Sequence, residues 1–354
     1  MNERRRAGRP TLADVARAAD VSLSTASRVF SGLPTVDPEL VTRVLQTGSR
    51  LGYQPSVAAQ MTANGRSALV GVVSDHPREP HFAAIFQGIV SLAGGHGLTV
   101  MTSGAEPGGD SVRLAVRSLI GYRPQAIVVV SRRTVDAGLA ADPIVERYGR
   151  TASRIVSIGS GLAGTWIPSV AAQDAAGAER LAGALVHQGY ERAVVVGVGA
   201  DFPAESLRAL TLTSRLREGI AHVAGVRALV PSRDEGYRVT RDEILGAAVP
   251  PDVIVTVADE LAVGVTAALR DASGGGRSPI AVTGFGDIAL AGDLVPALTT
   301  VRTHLAELGK KAVRLALDPQ DASAVPDADV VVRQSTPLQR RHDAGAGHAG
   351  TVPA

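Results

Sequence analysis

Two hydrophobic rhythms divide the chain. Between Thr11 and Gly52, apolar positions recur at helical spacing in three short runs, without strand-like alternation. The first run is Leu12–Ala18, with Thr11 placed to cap it and Asp14 three residues on, the spacing of a capping box. The second, Leu23–Phe30, follows Ser22. The third opens with Asp37-Pro38-Glu39, a cap followed by proline at the first helical position, and runs to about Leu51. Tyr53-Gln54-Pro55 then breaks the chain, residues 56–62 suit a short helix, and Asn64-Gly65-Arg66-Ser67 suits a linker. From Ala68 the rhythm changes. Short apolar runs alternate with amphipathic stretches of about a dozen residues, the order of parallel strands joined by helical crossovers. The strands expected are Leu69–Ser74, Leu98–Ser103, Ala126–Val130, Arg154–Gly159, Ala193–Val198, Arg227–Pro231, Val253–Val257 and Ile280–Phe285. The helices expected are Phe82–Gly94, Ser111–Ile120, Ala176–Gln188, Ser206–His222, Gly236–Gly246, Asp259–Arg270 and His304–Leu317. Eight or so strands suit two doubly wound subdomains. After Thr336 the composition is that of a disordered tail, as residues 1–10 are of a disordered basic arm.

Charge sharpens this division. The whole chain carries a net charge of +2, but residues 1–66 hold nine Arg against five acidic residues, and the remaining 288 are slightly acidic. A small Arg-rich unit on a near-neutral body suggests a polyanion-binding module joined to something else. With 45% hydrophobic and 20% charged residues the chain is globular, and with only 3% aromatics its core must be Ala, Val, Leu and Ile. The absence of Cys excludes disulfide scaffolds, thiolate metal sites and Cys nucleophiles. No secretory h-region follows Met1 and no run approaches the roughly 20 apolar residues of a membrane span, so the expected location is the cytoplasm.

The first two helices, joined by Ala19-Asp20-Val21, match helix-turn-helix geometry. The second would present Leu23, Ser24 and Arg28 on one face, the residue types that read base edges in a major groove: Arg for guanine, Ser as donor or acceptor, Leu for a thymine methyl. Thr11-Leu12-Ala13-Asp14-Val15-Ala16, Val21-Ser22-Leu23-Ser24-Thr25-Ala26-Ser27-Arg28-Val29 and Leu51-Gly52-Tyr53-Gln54-Pro55 resemble the headpiece of the lactose/galactose repressor (LacI/GalR) family. The body resembles the family too, in Gly71-Val72-Val73-Ser74-Asp75, Pro80-His81-Phe82, Val170 to Gly177, His187-Gln188-Gly189-Tyr190-Glu191-Arg192, Asp259–Gly264, Val282-Thr283-Gly284-Phe285 and Pro296–Val301. The resemblance covers about residues 11–335.

It implies a disordered arm over 1–10, a helix-turn-helix headpiece over 11–55, a hinge helix and linker over 56–67, a two-subdomain effector-binding and dimerisation core over 68–335 of the periplasmic-binding-protein-like kind, and a disordered tail over 336–354. The DNA contacts it implies are Thr11, Leu12, Ser22, Leu23, Ser24, Thr25, Ser27, Arg28, Tyr53, Ser56, Ala59, Gln60, Met61 and Thr62. A homodimer would set two headpieces on a near-palindromic operator, with hinge helices in the minor groove. The family wedge is Leu; here Thr62 holds that position and Met61 is its neighbour. Asp20 replaces a usual Gly in the turn, and Asp tolerates the left-handed conformation better than most residues.

Ligands of doubly wound sheets gather at the carboxyl ends of strands. The effector-binding residues implied are Asp75, Phe82, Trp166, Gln173, Asp174, Arg208, Asp259 and Phe285. Asp259 and Arg208 would together clamp the hydroxyls of a sugar-like small molecule, with Phe82 or Trp166 stacked on its face. Competing roles exist: Asp259 as a cap of its own helix, Arg208 as a surface helix residue, Trp166 as loop packing. The pattern departs from the family at Thr211, Ala258 and Gly286. Neither a catalytic constellation, nor a dinucleotide fingerprint, nor metal-ligand His spacing is visible, so no enzyme, cofactor or metal is expected. The eight His read as solvated or structural, and the pairs Asp242-Glu243 and Asp259-Glu260 as solvated faces. The function expected is a sequence-specific transcription regulator, most simply a repressor, with a ligand-independent or activating regulator of the same family as the alternative, ahead of a solute-binding protein or a sugar-acting enzyme.

Overall fold

The computed structural model of the chain describes residues 10–30, 36–54, 67–106, 110–133, 138–151, 154–159, 162 and 164–337. Residues 1–9 of the basic arm, the hinge positions Ser56, Ala59, Gln60, Met61 and Thr62, and the tail from residue 338 lie outside the described residues. Two compact units are present. One comprises Met1–Leu69 with Gly121–Gln125, and the other Val70–Ile120 with Ala126–Ala354.

The first unit holds three helices: α1 (Leu12–Ala18), α2 (Leu23–Phe30) and α3 (Pro38–Leu51). Local chemistry sets each start. The Thr11 hydroxyl accepts from the Asp14 amide while the Asp14 carboxylate accepts from the Thr11 amide at 2.9 Å, a complete capping box. The Ser22 hydroxyl accepts from the Thr25 amide at 3.0 Å, and Asp37 from the Glu39 amide at 2.8 Å. Asp20 sits at φ 53°, so the α1–α2 turn forms with aspartate in the left-handed region that glycine favours. Val15, Ala16, Ala19, Ala26, Val29 and Val44 form the core, and Phe30 meets Tyr53 edge-to-face at 5.1 Å.

The second unit contains two sheets. The first has the order β2-β1-β3-β4-β5, from β1 (Leu69–Ser74), β2 (Thr99–Gly104), β3 (Ala126–Val130), β4 (Ile155–Ile158) and β5 (Ser169–Val170). The second has the order β11-β10-β9-β8-β6-β7, from β6 (Arg192–Gly197), β7 (His222–Arg227), β8 (Val253–Thr256), β9 (Ala281–Gly286), β10 (Thr299–Arg302) and β11 (Asp329–Val331). The recorded pairings are parallel except for β11 against β10. Between them run α4 (Pro80–Gly95), α5 (Ser111–Ile120), α6 (Gly138–Ala141), α7 (Pro143–Gly149), α8 (Asp174–His187), α9 (Pro203–Leu216), α10 (Arg233–Val239), α11 (Asp259–Ala272) and α12 (Leu305–Leu317). The chain passes from the first layer to the second after Val170, returns after Arg302 to pack α12 on α4, and leaves again after Leu317. These strands bring the carboxyl ends of both sheets to one cleft. The α4–α12 contact is backbone on backbone: a side chain at Gly88 would lie 1.8 Å from the Ala306 carbonyl oxygen, and one at Gly309 2.1 Å from that of Ile85. No helix among the described residues is long and apolar enough to cross a membrane.

Several elements differ from the sequence reading. The helix expected over 206–222 ends at Leu216, and the strand expected at Arg227–Pro231 is His222–Arg227 instead. That strand lies on the sheet edge and pairs only with β6, so four of its six positions are exposed, none is buried, and no apolar run marks it. The short α6, α7, β5 and β11 were not anticipated. Nor was β10, whose Thr299 and Thr300 are buried although polar, their hydroxyls bonded inward.

Candidate functional site

In the small unit, α2 presents an open face. Leu23, at 54% exposure, Ser24 and Arg28 are exposed, with Ser27 half-buried beside them, while Ala26 and Val29 on the opposite face are buried. The 23/27 and 24/28 spacings place these side chains on one strip of helix. The Arg28 guanidinium has no hydrogen-bond or ion-pair partner among the described residues, unlike Arg17, which is paired with Asp14 at 3.2 Å. Ser22, Ser24 and Thr25 share hydroxyl contacts of 2.8 Å around the α2 cap. Leu12 and Tyr53, also expected as DNA contacts, are half-buried and pack in part against the core. An exposed, unpaired Arg two turns from a capped helix start is the arrangement a major groove accepts.

In the large unit, the inter-sheet cleft holds an ionic cluster around a cavity of about 110 Å³. Arg132, just past the end of β3, donates from Nε to Glu205 Oε1 at 2.7 Å and from Nη1 to Glu79 Oε2 at 2.8 Å, and lies 3.3 Å from Glu260 Oε1. Arg208 of α9 is bound to Asp174 Oδ1 at 2.9 Å, donates to the Val257 carbonyl at 3.0 Å and lies 4.4 Å above the Phe285 ring. Asp75 accepts from Ser131 Oγ at 2.7 Å and meets His76 Nδ1 at 2.9 Å.

Burial opposes ionisation throughout this cluster. It raises the pKa of Asp174 and Glu79 against the opposing guanidiniums. At Glu205 burial also acts upward, but Arg132 and Arg208 outweigh it and the pKa ends below the ordinary value. The Asp75 carboxylate, as acceptor for the His76 ring, raises the pKa of His76. His81 is driven down to about 3 by burial, with Arg132 and Arg208 acting in the same direction.

The clamp expected from Asp259 and Arg208 is not what forms. Asp259 is fully buried and committed to the Thr300 hydroxyl at 2.6 Å and the Ile288 amide at 2.8 Å, and burial raises its pKa to about 6. Its approach to β9 requires glycine, since a side chain at Gly284 would lie 2.0 Å from its carboxylate. Arg208 pairs with Asp174, which the sequence had named separately. Asp259 and Glu260, read as a solvated pair, are both buried. Trp166 lies outside the cleft lining; its indole donates to the Ala140 carbonyl at 2.7 Å and its ring covers Gly149. Phe82 stacks on Phe86 at 5.6 Å, and Gln173 is exposed ahead of α8. The residues that reasoning from sequence missed are His81, Arg132, Glu205, Glu260 and Glu79. His81 and Glu260 fell within motifs noted earlier, His81 without a role and Glu260 as part of a solvated face. A larger hollow of about 830 Å³ opens at the amino ends of the second sheet's strands, beside Arg270, Arg277 and Val295. Among the described residues no cluster of His, Asp and Glu could hold a metal ion.

His81 makes a pH prediction. Because its folded pKa lies below the ordinary 6.5, the unfolded chain binds more protons between about pH 3 and 6.5, and stability falls as pH drops through that window. Asp259 acts oppositely: its folded pKa exceeds the ordinary 3.8, so its contribution is present below that value and lost as pH rises to about 6. His81→Gln removes only the first effect. Urea unfolding of this variant should lose about 2 kcal/mol less than the parent between pH 7 and pH 5, at about 1.4 kcal/mol per pH unit. Parallel losses would show that the His81 ring is not held neutral.

Comparison with known proteins agrees with this division. Residues 11–56 match the lacI family of bacterial regulatory proteins, and residues 182–340 match a periplasmic binding protein-like domain. The HTH-type transcriptional regulator GalS of Salmonella typhimurium is 28% identical over 94% of this chain and 96% of its own length. A lac repressor structure bound to ONPG in the repressed state is 25% identical, with a TM-score of 0.77 over 93% of this chain and 100% of that one. A lac repressor dimer bound to operator and an anti-inducer superposes with a TM-score of 0.79 at 23% identity, over 93% of this chain and 99% of that one.

Proposed function

The chain belongs to the LacI/GalR family of bacterial regulatory proteins, and on that premise we propose that it is a cytoplasmic repressor of transcription. It binds a near-palindromic operator as a homodimer and is tuned by a small molecule between its two sheets. The observation that carries the reading is the exposed face of α2, with Arg28 unpaired among the described residues. Leu23, Ser24, Ser27 and Arg28 read base edges; Thr11, Ser22 and Thr25 meet the backbone. Residues 56–62 act as the hinge in the minor groove, with Met61 or Thr62 at the central step. Effector binding changes the relative position of the two sheets, and the coupling to operator affinity is about 1–3 kcal/mol.

Selection from randomised duplex DNA tests this. The expected product is an inverted repeat whose half-sites lie about one helical turn apart, and whose affinity falls steeply with salt as Arg side chains displace counterions. A pool that stays random after selection would overturn the reading. A second reading, regulation without any external ligand, is favoured by one observation: Arg132 already bridges the cleft.

A further inference from the structure

The cleft is built for positive charge. Two guanidiniums, Arg132 and Arg208, face four carboxylates, Glu79, Asp174, Glu205 and Glu260, all of them wholly or largely enclosed. Burying an unbalanced charge is costly unless a counter-charge arrives. Glu205 is 1% exposed and lines the cavity, yet its Oε2 has no hydrogen-bond partner. The space is also unsuited to a sugar. At about 110 Å³ it is well below the roughly 300–1,000 Å³ of ordinary ligand pockets. The aromatic faces nearby are already covered: Phe285 by Arg208, Phe202 by Arg133 and Phe82 by Phe86.

Arg132 explains how this acidic space is kept closed. It projects from the first sheet, while Glu205 begins α9 and Glu260 begins α11, both of the second. One guanidinium therefore ties the two layers together, where an effector would otherwise do so.

We propose that the cleft is an organic-cation site whose resident occupant is the Arg132 guanidinium, and that its external effector is a small guanidinium or ammonium compound competing for Glu205, Glu260 and Glu79. The proposal names the ligand class of the regulator reading and rests on it. Arg132→Ala vacates the site. Thermal unfolding of this variant, with ethylguanidinium chloride titrated against matched sodium chloride, should show a saturable rise in midpoint of a few degrees. The unsubstituted protein should need at least about tenfold more ethylguanidinium for the same rise, a difference of about 1.4 kcal/mol in affinity. Galactose should move neither. Arg132→Gln fills more of the vacated space and carries the same expectation should the alanine variant fail to fold. No response of either variant to ethylguanidinium, or a midpoint rise with galactose, overturns the proposal. DNA selection with the unsubstituted protein separates the two claims. An enriched repeat with no cation response overturns this inference alone, and a cation response with no enriched repeat overturns the regulator reading alone.

Discussion

Arg208→Ala should cost the large unit about 3–5 kcal/mol of unfolding free energy, the usual penalty for removing one partner of a buried ion pair. The arginine is 3% exposed. Its loss leaves Asp174 without its 2.9 Å partner, the Val257 carbonyl without its donor, and one face of the Phe285 ring uncovered. Burial already pushes the Asp174 carboxyl upward with the arginine in place. Without it the folded variant takes up a proton more readily than its unfolded chain, so the deficit should shrink from pH 7 to pH 5. Urea unfolding at the two pH values checks this. A deficit below about 1 kcal/mol at pH 7 would show the pair to be replaceable by water.

Arg28→Ala should weaken binding to the selected repeat by about 1–3 kcal/mol at each half-site and relax selectivity at the base pair it reads. The basis is geometric: the guanidinium is exposed on the same strip as Leu23 and Ser24 and unpaired among the described residues. Titration against the repeat and a scrambled duplex distinguishes base reading from simple charge. A phosphate contact would instead weaken both duplexes equally and lower the salt slope by about one.

What could be read in the sequence follows interaction range. The starts of α1, α2 and α3 are set by contacts two or three residues apart, Thr11 with Asp14, Ser22 with Thr25 and Asp37 with Glu39, so local pattern sufficed. The Arg132 contacts span 73 residues to Glu205 and 128 to Glu260, and nothing local announces them. Family resemblance placed Asp174, Arg208, Asp259 and Phe285 near the strand ends but not their pairings. Asp259 is taken by Thr300 on β10, a strand hidden because its buried positions are threonine. Conversely, β7 was expected five residues late, at Arg227–Pro231, because an edge strand exposed to solvent carries no apolar run to mark it.

The most direct test of the central claim is the ratio of affinities for the selected repeat and for a scrambled duplex at physiological salt. Base reading by α2 predicts a ratio of about 10³ or more. A ratio near one would contradict it, leaving the Arg-rich unit a non-specific polyanion binder.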